Sequence, residues 1–74
     1  MKIEVRLFAT LRQGRFVKQS IEVADGSRLI DVLGPLAIGR HEVTIRLVNG
    51  REAEWEQPLG EGDTVSLFPP VGGG

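Results

Sequence analysis

The sequence predicts an α+β fold, with one short helix on one face of a mixed sheet of about five strands. Three observations predict it. Apolar residues alternate near both ends of the chain, the period changes to helical spacing in the middle, and Asn49-Gly50 stands between two strand-like runs. Alternation at period two marks a strand with one buried face. An Asn-Gly pair marks a tight hairpin because both residues accept positive φ.

The elements follow in order. Ile3, Val5 and Leu7 share one face of the first strand, and Lys2, Glu4 and Arg6 share the other. Gly14 marks a turn, and a second strand runs from Phe16 to Val23 with Val17, Ile21 and Val23 in phase. Gln19 interrupts that phase, which predicts a bulge or an edge strand. Asp25-Gly26 closes this hairpin segment. Leu29, Val32, Leu33 and Leu36 then recur at helical spacing behind Ser27, whose hydroxyl suits an N-cap. Gly34-Pro35 is expected to end or distort the helix after about two turns. Val43, Ile45 and Leu47 predict a third strand, the residues from Ala53 to Glu56 a short fourth, and Val65 and Leu67 a fifth that enters the core. Leu59 anchors the connection before the Gly60-Glu61-Gly62-Asp63 turn, and Pro69-Pro70 end the last strand because neither has an N–H to donate. The order is strand, strand, helix, strand, strand, strand. The helical stretch weighs against the rival, a small SH3-like or oligonucleotide-binding barrel.

Composition excludes several classes of function. The 74 residues suffice for one domain, with 41% hydrophobic residues and no cysteine. Disulfide scaffolds, thiolate nucleophiles and cysteine-based metal sites are thereby excluded, and absent cysteine fits a reducing compartment. A net charge of −1 with interspersed signs provides no basic stripe for nucleic acid. No apolar run approaches the roughly 20 residues of a membrane span. The alternating N-terminus lacks the continuous apolar stretch of a signal peptide, so the expected location is the cytoplasm.

The end of the chain carries the chemistry. No residue from Thr64 to Gly74 has a side-chain charge, and the sequence closes on Phe68-Pro69-Pro70-Val71-Gly72-Gly73-Gly74. Pro69-Pro70 favour a stiff, extended base. Val71 follows, and Gly72, Gly73 and Gly74 have no Cβ to obstruct a narrow pocket. The segment from Pro69 to Gly74 reaches at most about 20 Å when extended. The expected division is a folded body over 1–68 and a flexible tail over 69–74. A free carboxylate on Gly74 is a poor electrophile until its oxygen attacks the α-phosphorus of ATP. The resulting acyl-adenylate has a good leaving group and passes its acyl group to a sulfur or nitrogen nucleophile, so one hard step becomes two easier ones. The chain has no phosphate-cradling G-x-x-x-x-G-K-[ST] loop. It is therefore expected to bind no cofactor and to be a carrier or substrate rather than an enzyme. ATP and Mg2+ belong to a separate activating partner.

The stretch from Pro58 to Gly74, P-L-G-E-G-D-T-V-S-L-F-P-P-V-G-G-G, resembles the pattern P-L-x-x-G-D-x-V-x-x-F-P-P-V-x-G-G of the MoaD/ThiS family of ubiquitin-like sulfur carrier proteins. Lys2 to Thr10 is similar to the first strand of that family, Gly26 to Leu36 to its helix, and Leu47-Val48-Asn49-Gly50 to its central hairpin. The resemblance implies a ubiquitin-like β-grasp fold. It also implies adenylation of Gly74 by an E1-like enzyme, conversion to a thiocarboxylate, and sulfur transfer to an acceptor such as the large subunit of molybdopterin synthase. The F-P-P-V-x-G-G ending is nearest the molybdopterin branch. The segment from Gly34 to Val43 is shorter than in many molybdopterin-type members, so the product remains open.

Phe8 and Phe68 are out of phase with the core residues of their strands. In neighbouring strands of a β-grasp sheet they would form an exposed apolar patch on the face away from the helix, with Arg46 and Val48 at its rim. Such patches mark partner surfaces. Trp55 is expected to pack or lie at an edge, Asp63 to serve its turn, and Arg12 and Arg15 to be solvated charges. His41 has no ligand-spaced companion, and no metal site is expected. Glu52, Glu54 and Glu56 form a solvated acidic edge with no sign of the desolvation that acid–base catalysis needs. The same tail serves two other classes: a ubiquitin-like modifier joined through Gly74 to lysines, and an interaction module that uses only its sheet face.

Overall fold

A computed structural model describes residues 1–70. Five strands form one mixed sheet: β1 (Lys2–Leu7), β2 (Lys18–Glu22), β3 (Ile45–Val48), β4 (Arg51–Glu52) and β5 (Thr64–Phe68). Their spatial order is β2-β1-β5-β3-β4. β1 and β5 run parallel at the centre, and the remaining neighbours are antiparallel. The central strands and the helical segment supply the most deeply buried residues, with Leu29 and Val32 at 0% exposure. Ile3, Val5 and Leu7 of β1 face the same side as Val65 and Leu67 of β5, and all five are at most 1% exposed. β2 lies at the edge, as Gln19 predicts, with Ile21 packed against the core.

The helical segment is a 3-10 turn over Leu29–Val32 that continues as α1 (Leu33–Leu36). It has the expected two turns, but two local details differ from expectation. Gly34-Pro35 lies inside α1 and does not end it. Pro35 is the third residue of α1, just past the change from 3-10 to α spacing. The ending comes from Ala37 at φ 55°, with Ala37 N donating to Gly34 O at 3.0 Å and Ile38 N to Leu33 O at 3.1 Å. This bond pair satisfies carbonyls that the last turn leaves free. Nor is Ser27 the cap. Asp31 accepts from Arg28 N at 2.8 Å across the first turn, while Ser27 Oγ donates backward to Ala24 O at 2.7 Å and closes the Asp25-Gly26 turn.

The fourth strand is shorter than expected and earlier in the chain. Asn49 and Gly50 take φ 52° and 83°, as an Asn-Gly hairpin requires, but β4 stops at Glu52. Ala53 N still donates to Arg46 O at 3.2 Å, and beyond it the chain leaves the sheet and crosses to the helix start. Ile30 N donates to Trp55 O at 3.0 Å and Leu29 N to Gln57 O at 2.8 Å. Trp55 is therefore a buried core residue, while Glu52, Glu54 and Glu56 are exposed without forming one alternating strand. Leu59 is buried, as an anchor should be. Among the described residues no helix is long and apolar enough to cross a membrane.

Candidate functional site

β5 carries the chain to Pro69 and Pro70 through the middle of the sheet. Val65 and Leu67 point into the core, so Thr64, Ser66 and Phe68 take the opposite, open face. The end of the strand is pinned on both sides: Phe8 N donates to Leu67 O at 3.2 Å, and Thr44 N to Phe68 O at 2.8 Å. Phe8 follows Leu7 onto the open face, just before Ala9 turns the chain at φ 53°. The Phe8 and Phe68 rings stack with centroids 4.2 Å apart and planes 9° from parallel. The Arg12 guanidinium carbon lies 5.6 Å from the Phe8 centroid. The expected aromatic pair thus exists, at the end of β5 just before Pro69.

Its expected rim is corrected. Arg46 pairs with Leu67 and Val48 with Val65, and directly paired residues share a face. Both therefore lie on the helix side. Val48 is buried, and Arg46 sits with its guanidinium carbon 4.7 Å from the Trp55 centroid and 3.6 Å from a Glu54 carboxylate oxygen. The cause is a one-residue shift of phase. Val43 closes a 3-10 turn over Arg40–Glu42 and is buried there, outside the sheet. β3 starts at Ile45, opposite Phe68, and Leu47 lies opposite Ser66. Ile45 and Leu47 therefore flank the aromatic pair instead of filling the core. Extrapolating one alternation through Val43 concealed this. The strand-like run after Asn49-Gly50 held the available signal, since a Trp needing cover makes a neighbouring Arg a candidate for the inner face.

The arginines of the first loop are also corrected, from solvated charges to structural pins. Arg12 Nε donates to Leu7 O at 2.9 Å. Arg15 donates to Leu11 O at 3.1 Å, Ala37 O at 3.0 Å and Leu36 O at 3.4 Å, and lies 3.8 Å from a Glu42 oxygen. It ties the first loop to the carbonyls at the end of α1. Beside it a shallow groove, lined by Thr10, Gln13, His41 and Glu42 among others, borders Pro69 and Pro70. Pro69 is half-buried and Pro70 exposed. The expectations for Val71, Gly72, Gly73 and Gly74 fall outside the described residues.

Asp63 has the structural role expected of it. It accepts from Gly60 N at 2.7 Å and from the Asn49 amide at 2.9 Å, while Asn49 Oδ1 accepts from Thr64 N at 2.9 Å. His41 is exposed, and among the described residues no cluster of His, Cys, Asp or Glu could hold a metal ion.

The model of the ThiS family matches residues 5–74. Solved structures superpose closely. SAMP1 of Haloferax volcanii, small archaeal modifier protein 1, has a TM-score of 0.79 at 25% identity, with 100% of each chain covered. The putative molybdopterin converting factor subunit 1 of Pyrococcus furiosus has 0.78 at 30% identity, covering 96% of this chain and 99% of that one. The complex of molybdopterin-converting factor subunits 1 and 2 from Helicobacter pylori contains a chain with 0.68 at 28% identity, with 100% of each chain covered. No curated protein gives a significant sequence match. The sheet order and these superpositions define a ubiquitin-like β-grasp, and the chain belongs to the ThiS family, whose MoaD-like and SAMP1-like relatives share that body.

Proposed function

We propose that this protein is a sulfur carrier whose Gly74 carboxylate is adenylated by an E1-like enzyme and converted to a thiocarboxylate. The observation that carries this reading is the family match, which spans residues 5–74 and so includes the glycine end. The fold supports it physically. A central strand fixed on both sides delivers Pro69 and Pro70 beside an apolar patch, so a partner that docks on the patch meets the tail at a defined place. The body over 1–68 is the docking unit and 69–74 the reactive extension. Phe8 and Phe68 dock, joined by Ile45 and Leu47.

The chemistry balances through the partner. The carboxylate oxygen attacks the α-phosphorus of ATP and pyrophosphate leaves. Sulfide then displaces AMP and leaves the thiocarboxylate directly; a persulfide displaces AMP to give an acyl disulfide, from which a thiol of the donor system releases the thiocarboxylate as it forms a disulfide with the donor sulfur. Activation and transfer occur on other proteins, so this chain is substrate and carrier, not catalyst, and it binds no cofactor of its own. ATP and Mg2+ sit in the activating enzyme. The complex of the H. pylori relative with subunit 2 of molybdopterin-converting factor supports an acceptor of the same kind, a molybdopterin synthase large subunit. Intact-mass spectrometry after incubation with ATP, the cognate activating enzyme and a sulfur donor tests this. The mass gain of sulfur replacing one oxygen at Gly74 is expected. An unchanged mass with an activating enzyme shown to adenylate another carrier overturns it.

SAMP1, a modifier by name, favours a second reading. The same adenylate passes to a lysine amine as readily as to sulfur. Isopeptide adducts of Gly74 in extract, detected by mass, distinguish conjugation from sulfur transfer.

A further inference from the structure

The outer side of β2 is an open sheet edge whose chemistry matches itself. β1 and β2 pair so that positions sum to 24, with Val5 opposite Gln19 and Ile3 opposite Ile21. Leu7 N donates to Val17 O at 2.9 Å, and Val23 N donates to Met1 O at 2.8 Å. These bonds place Val17, Gln19, Ile21 and Val23 in hydrogen-bonded pairs with β1. In an antiparallel ladder such pairs alternate with pairs whose N–H and C=O groups point away. The backbone groups of Lys18, Ser20 and Glu22 therefore point outward, and β2 has no second neighbour among the described residues. All three side chains are exposed.

We propose that β2 pairs antiparallel with β2 of a second copy of this chain, about a two-fold axis through Ser20. In that register every outward group finds one of its own kind of partner. Ser20 meets Ser20 of the second copy, and Lys18 meets Glu22 in both directions, as an isologous interface requires. The N–H and C=O groups of these residues are the ones β1 leaves free, so the ladder continues without a bulge. The side chains agree with the backbone. Lys18 stands beside Arg6 within one sheet, a like-charge pair, and Glu22 of the second copy on its other side offsets that repulsion. One step outward, Val17 meets Val23. Val17 is 58% exposed, the most exposed large apolar side chain among the described residues, and this pairing covers it.

A lysine on an open edge ordinarily blocks strand addition. Here a glutamate at the two-fold mate position turns the same charge into a device that fixes register. The seam buries less than the roughly 1,200 Å² of ordinary stable complexes, so the dimer is weak and concentration-dependent. It also leaves the proposed tail free. β5 is two strands from the edge, about 10 Å at ordinary strand spacing.

Sedimentation velocity of the full chain over rising concentration tests the proposal. Reversible dimer formation that weakens with added salt is expected. Lys18→Glu and Glu22→Lys each turn two attractive pairs into two repulsive ones and should weaken self-association roughly 10- to 30-fold. Mixing the two variants restores opposite charges across the seam, so a mixed dimer should reappear at the strength of the unaltered chain. Ser20→Pro removes an N–H that points away from β1. It should abolish the dimer while circular dichroism shows the fold retained. A chain that stays monomeric at millimolar concentration overturns the proposal. So does a dimer indifferent to Ser20→Pro, or two charge variants whose mixture behaves no differently from each alone.

Discussion

At the residue scale, Arg46 shows how a charge is accommodated on a core-facing position. Its aliphatic stem runs along the inner face, its guanidinium covers Trp55, and Glu54 receives its outer edge, while its Nε is buried with no hydrogen-bond partner among the described residues. The contact with the indole is the dominant favourable part, because the Glu54 carboxylate is solvated and exposed ion pairs contribute little. Arg46→Ala should lower stability by about 1–2 kcal/mol in urea unfolding and leave partner affinity unchanged. The reverse pattern, weaker binding with stability intact, would return Arg46 to the open face. Phe8→Ala and Phe68→Ala should behave oppositely. Each loses a stacking contact of about 1 kcal/mol, but its larger effect should be weaker binding of the activating enzyme, measured by calorimetry.

At the element scale, the β3–β4 hairpin and the last turn form one unit. Asn49 combines a left-handed backbone with two side-chain bonds to the Asp63-Thr64 segment. Asn49→Ala should destabilise the fold by about 2–3 kcal/mol, from backbone strain and lost hydrogen bonds together. Asn49→Gly should recover the backbone part, which separates the two causes. The elements also show what the sequence could tell. Ile3, Val5, Leu7, Val65 and Leu67 are legible because both central strands are anchored by an unbroken alternation. Asn49-Gly50 is legible because its turn demands those residue types. The presence of β3 is legible but its facing is not, because Val43 is buried beside a 3-10 turn outside the sheet and happens to extend the strand pattern by two. β4 is short for a reason outside its own sequence: the Trp55 and Gln57 carbonyls bond the first N–H groups of the helical segment, a tertiary partnership without a local signature.

At the scale of the whole molecule, the two central strands end side by side. The parallel β1–β5 pair sends two strand ends to the same end of the sheet, which is why Phe8 and Phe68 meet there. This juxtaposition was readable once a β-grasp order was supposed, whereas the true flanks, Ile45 and Leu47, required the register. Removal of Gly73-Gly74 should leave the unfolding midpoint within experimental error, because the buried core of the described residues runs from Ile3 to Leu67. Adenylation is reversible, so the exchange of labelled pyrophosphate into ATP by the activating enzyme reports directly on whether this terminus is the group being activated. Exchange should be brisk with the intact chain and absent with the shortened one, although both fold alike. Equal exchange with the two chains, or none with either from an enzyme active on another carrier, would contradict a body built to present its own acyl end.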